Sequence, residues 1–274
     1  MHKVNINGKS VQLPQNWIEA AELPSLRARF AELLEYLYVY PASGATYHHV
    51  LRIMLGTSQP EWKKLMRHFF SDARSEQQRD QSSQALAELL NLVSWMWKED
   101  LTVAPFGSIQ VEDESWLLFA DGFRSMSFGE LTDAYIHAQA FIKQLIEGEE
   151  RLNMLVATVC RPEKDGDYRK DPKWNGDARQ EYNEHITAIR AEKLKGSLFP
   201  AKILVLVYFL GAAKNFFSYF DLFDSDGSGP PQAEEYPGQS MIKNQHLLSG
   251  KAIFGNMSET KRANVHEVFQ FLEE

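Results

Sequence analysis

The chain has 274 residues, with 29 Lys plus Arg against 37 Asp plus Glu, a net charge of −8, and 44% hydrophobic and 24% charged residues. That balance belongs to a soluble globular protein, and it lacks the basic footprint through which duplex nucleic acid is held. The single cysteine, Cys160, excludes an internal disulfide framework and a multi-cysteine zinc site.

The first residues contain no apolar stretch of the kind a signal peptide needs, so a cytoplasmic location is expected. Asn7-Gly8, the dipeptide preferred in type I′ turns, sits between Val4/Ile6 and Val11/Leu13, and Pro14 closes the second run. This predicts an N-terminal β-hairpin. Helical spacing follows in Leu26, Phe30, Leu33, Leu34 and Leu37, then in Trp62, Leu65, Met66 and Phe69 after Pro60. The stretch 72–83 is polar and reads as a loop or a helix end, after which Leu86, Leu89, Leu90, Val93 and Trp97 form another amphipathic stripe.

The middle changes character. Between Leu101 and Phe119, Pro105 and Gly107 separate short β-prone runs, which read as short strands or an extended loop. Ser127-Phe128-Gly129-Glu130 has the form of a capping box, opening a helix with Leu131, Tyr135, Ala138, Ile142 and Leu145 on one face. A second apolar segment runs from Leu152 to Val159. Two polar inserts, 163–176 and 224–240, bracket a charged helix expected over 178–195 and an apolar helix over 200–223. The latter has an uncharged run of only 11 residues, Ile203 to Ala213, between Lys202 and Lys214. A membrane span needs roughly 18 to 20, so none is expected. A final helix is placed over 258–272. The elements predict one α+β unit over 1–274, mainly α-helical, with the hairpin and a few short strands on a helical body. Near residue 120 is the point at which it would divide into 1–120 and 121–274.

No catalytic motif is present, and no cofactor is expected. Asp177, Glu181 and His185 fall at i, i+4 and i+8, which on one helix face could hold a metal; the competing reading is a solvated charged face. Asp224, Asp226, Ser228, Gly229 and Glu235 follow the ligand order of an EF-hand loop. Pro231, however, sits where that loop needs a backbone N–H, and Tyr236-Pro237-Gly238 breaks any exit helix, so a linker is expected instead. Cys160 reads as a buried structural thiol. The 33 aromatic residues cluster, most densely at Phe216, Phe217, Tyr219 and Phe220, where apolar groups surround the helix. Those four rings are buried either by the protein's own core or by a partner, as a subunit interface or a client groove.

Three stretches in order resemble proteins from the tail modules of bacterial phages and prophages, in particular tail assembly chaperones and related tail-morphogenesis proteins. They are Leu13-Pro14-Gln15-Asn16-Trp17-Ile18-Glu19 after the hairpin, Met126-Ser127-Phe128-Gly129-Glu130-Leu131-Thr132-Asp133-Ala134, and Cys160-Arg161-Pro162 followed by a charged insert, a helix and Ile203 to Leu210. The resemblance implies a non-enzymatic role. The protein would act by protein–protein contact, with self-association or a tail protein such as a tape-measure chain as partner, covering apolar helical stripes before assembly. It carries no catalytic residues across.

Overall fold

In the computed structural model, residues 1–6, 9–172, 174–220 and 234–274 are described. They form thirteen α-helices and five short strands, the mainly helical α+β class read from the sequence. The chain divides into two compact units, Met1–Pro105 and Phe106–Glu274. The boundary lies before residue 120 because the strands that begin at Ser108 pair with backbone of the C-terminal half, as described below.

In the first unit, β1 (His2–Ile6) and β2 (Lys9–Leu13) pair antiparallel, with Val4 opposite Val11. The Asn7-Gly8 turn lies outside the described residues. A two-stranded ribbon needs support, and it finds it at its end. Leu13 is fully buried, and the Pro14 carbonyl accepts from Trp95 Nε1 at 2.9 Å. Next come α1 (Trp17–Glu22), α2 (Pro24–Arg27), α3 (Phe30–Tyr38) and α4 (Gly44–Met54). Trp17 packs edge-on against Phe30 and the half-buried Trp95, and Trp17 and Phe30 join Leu33, Leu34, Val50, Leu51 and Ile53 as the buried core. α5 (Gln59–Phe69) and α6 (Glu76–Leu92) complete the unit. α6 begins earlier than its polar sequence suggests. Ser75 accepts from the Gln78 N–H while the Gln78 side chain accepts from Ser75, a reciprocal cap that turns most of 72–83 into helix.

In the second unit, β3 (Ser108–Val111), β4 (Glu114–Leu118) and β5 (Cys160–Pro162) form an antiparallel sheet in the order β3-β4-β5. Leu101-Thr102-Val103 is not a strand. α7 (Phe128–Ile142) and α8 (Glu150–Val159) precede β5, and α9 (Glu184–Lys193) leads to α10 (Phe199–Phe217). α10 is long and apolar enough, by length and composition, to cross a membrane. One side of it packs into the core of this unit. Leu204, Val205, Tyr208, Phe209, Ala212 and Phe216 are buried, and Tyr208 stacks on Phe119 at 4.6 Å. Lys202, fully buried, directs its three donors to Glu149, Asn153 and the Leu194 carbonyl, which is what allows a charge there. After the undescribed stretch come α11 (Gln239–Gly250), α12 (Met257–Arg262) and α13 (Val265–Glu273). The single helix expected over 258–272 is broken at Ala263 and Asn264. Their backbone pairs with the start of α7, through Phe128 N–H to the Ala263 carbonyl (2.9 Å) and Val265 N–H to the Met126 carbonyl (3.1 Å), and Asn264 caps α13.

Candidate functional site

The four aromatic residues singled out by sequence end up in different surroundings. Phe216 is buried, 5.3 Å from the Phe269 ring of α13 and 5.6 Å from Phe123. Phe217 and Phe220 are half-buried against the same Phe269 ring, and Phe217 also meets Tyr135 of α7 edge-on. Tyr219 alone turns out, with 70% of its surface exposed.

Asp177, Glu181 and His185 do not share a helix face. α9 starts only at Glu184, because the preceding residues run extended: Lys164 N–H donates to the Ala178 carbonyl and Gln180 N–H to the Pro162 carbonyl, both at 2.8 Å. The His185 side chain is exposed, whereas Asp177 is buried in a network of guanidinium groups. The metal stripe is therefore corrected. Among the described residues no group of three or more His, Cys, Asp or Glu is placed to hold a metal ion. The EF-hand-like residues 224–233 lie outside the described residues.

What binds Asp177 is a buried ionic quartet that the sequence reading missed. Ser127 caps α7 by accepting from Glu130 N–H, as the motif predicts, but the Glu130 side chain does not reach back. It points inward to Arg161 of β5 (2.8 Å) and Arg179 (2.9 Å). Arg161 donates to Glu130, Asp177 and the carbonyls of Thr158 and Gln180, and its Nη1 also lies 2.8 Å from the second Glu130 oxygen. Arg179 grips both oxygens of Asp177 at 2.9 Å and donates to the Val159 carbonyl as well. Burial opposes the charge on Asp177, but the two arginines outweigh it and hold its carboxyl below the usual range. Burial likewise opposes the charge on Arg179, and Glu130 and Asp177 reverse that balance in favour of the guanidinium. The quartet floors a cleft of about 610 Å³, with Tyr168, Trp174 and Tyr182 among its walls and Lys164, Lys261 and Arg262 among its charged lining. Its carboxylates are consumed by its cations, so its chemistry is that of a clamp. It pins the returning end of the 163–176 insert to α7. Cys160 beside it is fully buried, and burial pushes its thiol up to about 12, the opposite of an activated nucleophile.

The first unit carries a different kind of surface. α6 is seventeen residues long and none of them is buried. It holds its shape through its cap and through strong helix formers over Ala85 to Leu90. Its half-buried Leu86, Leu89 and Leu92 share an open groove of about 540 Å³ with Trp62, Leu65, Met66 and Phe69 of α5. An apolar helix stripe normally closes on a core; this one stays open. Both helical stripes were legible in the sequence, but the signal there is the same whether the stripe faces a core or a groove.

Against known protein families, curated proteins and solved structures, the chain matches none.

Proposed function

We propose that the protein is a non-enzymatic interaction protein that holds an apolar helical segment of a protein partner in the α5–α6 groove. The observation that carries this reading is α6 itself, an amphipathic helix of seventeen residues that buries none of them and leaves its apolar stripe on an open groove. Met, Phe and Trp line that groove, residue types favoured at the cores of protein interfaces, and binding by an amphipathic helix in an apolar groove is a recurrent recognition mode. The resemblance to phage and prophage tail-module proteins gives the reading its setting. In it the partner is a tail protein such as a tape-measure chain, met in the cytoplasm during assembly.

The test is co-expression with a tape-measure fragment from the same genome. The wild-type chain is expected to keep the fragment soluble and to co-purify with it. A Leu86→Asp/Leu89→Asp variant, substituted at positions that are not buried, is expected to keep its fold and leave the fragment in the pellet. A fragment that is equally soluble with the variant, or without either protein, overturns the proposal.

A further inference from the structure

The spacing along the open face of α6 says more about what fits it. Gln78, Ser82, Ala85, Leu89 and Leu92 all line the groove, and their steps of four, three, four and three are those of a coiled-coil seam. The seam is polar at the N-terminal end of α6 and apolar at the other. α5 faces the same groove with Trp62, Met66 and Phe69, again at steps of four and three. Two helices that each offer such a seam to one groove leave room for a third helix lying along both. The lined stretch of α6, Gln78 to Leu92, sets the contacted part of that helix at about 15 residues, or about 22 Å.

The corner between α5 and α6 supplies the charge argument. Arg74 lines the groove with its guanidinium 5.1 Å from the centre of the Phe69 ring. Its side-chain contacts are Ser82 Oγ at 3.5 Å and His68 Nε2 at 3.2 Å. The nearby carboxylate of Asp72 pairs with Arg79 instead, at 3.5 Å. Stacked on a ring and half-buried, the guanidinium is held in place before any partner arrives, and its remaining donors suit a carboxylate.

We infer that the α5–α6 groove takes a heptad-patterned α-helix of a partner protein that carries an Asp or Glu side chain at the Arg74 end. This rests on the groove reading proposed above and adds the partner's pattern and charge. Polar residues within a seam fix register, and here Gln78 and Ser82 lie at the same end as Arg74.

Two synthetic, monomeric 21-residue helices with Leu at the seam positions test it, one with Glu and one with Gln at the flanking position of its terminal heptad. Their affinities for the full chain are measured by fluorescence anisotropy. The Glu peptide is expected to bind the wild type several-fold more tightly than the Gln peptide. Arg74→Glu is expected to weaken the Glu peptide about fivefold, an ion-pair-sized effect, while leaving the Gln peptide unchanged. Leu89→Asp is expected to abolish both, with an unaltered circular dichroism spectrum. If Leu89→Asp abolishes binding but Arg74→Glu affects both peptides equally or neither, the carboxylate assignment falls and the groove reading stands. If neither peptide binds, or if Leu89→Asp leaves binding intact, both fall. If sedimentation shows a dimer that Leu89→Asp dissociates and the peptides do not disrupt, a second copy fills the groove and this inference is overturned.

Discussion

At the scale of single residues, the second unit holds charged and ionisable groups largely out of water, and each buried group commits the fold to a condition. The quartet of Glu130, Arg161, Asp177 and Arg179 is balanced, so removing one member leaves an unmatched buried charge. Arg161→Met is expected to destabilise the protein by about 3–5 kcal/mol, read as a lowered urea midpoint. A loss under 1 kcal/mol would mean that the pocket readily admits water. His137 of α7 makes a different demand. It is 9% exposed, and its pKa is pushed down to about 4, first by burial and then by the neighbouring Arg151. Unfolded, it protonates near 6.5; folded, it stays neutral to about 4, so between those values the unfolded chain binds more protons. Stability contributed by neutral His137 is therefore complete above pH 6.5 and is lost as pH falls toward 4, by about 3 kcal/mol in all. His137→Gln is expected to flatten the pH dependence of the urea midpoint in that window. An unchanged slope would assign the loss to other groups.

At the scale of elements, α10 and α13 test the aromatic cluster. Phe216→Ala removes a buried ring packed on Phe123 and Phe269 and is expected to cost about 3–5 kcal/mol. Tyr219→Ser, on an exposed ring, is expected to change stability by less than about 0.5 kcal/mol. If Tyr219→Ser instead lowers the sedimentation coefficient, that ring belongs to a self-association surface. The same elements show what a sequence can and cannot announce. Period and caps were legible: the hairpin and α7 with its Ser127 cap lie where the pattern put them, and the apolar α10 starts where expected but ends at Phe217 rather than running on toward 223. What escaped was decided by long-range pairing. Residues 177–183 have helical composition, yet they run extended because Ala178 and Gln180 pair with the chain leaving β5. Glu130 stands at the right place for a capping box, yet two arginines 31 and 49 residues away attract its carboxylate more strongly than a backbone N–H does. The open groove escaped for another reason, since periodicity marks an apolar stripe but not what covers it.

At the scale of the whole molecule, the two units divide the charge unevenly. Met1–Pro105 holds eleven basic and eleven acidic side chains, whereas Phe106–Glu274 holds 18 and 26 and so carries the whole net charge of −8. The neutral unit is also the one with the open apolar groove. Net charge keeps protein surfaces apart in solution, and neutrality combined with an apolar patch favours association. Each unit has its own buried core, so each is expected to unfold cooperatively when produced alone. Their solubilities are expected to differ. Residues 106–274 should remain dispersed at neutral pH and low salt, while 1–105 should associate with rising concentration. Leu86→Lys/Leu89→Lys in 1–105 adds charge to the groove without touching a buried position, and it is expected to restore a monodisperse species in light scattering. If 1–105 is already monodisperse at high concentration, its groove is less adhesive than its composition implies and the proposed capture of an apolar helix loses its driving force. If the lysine pair leaves association unchanged, the sticky surface lies elsewhere on that unit.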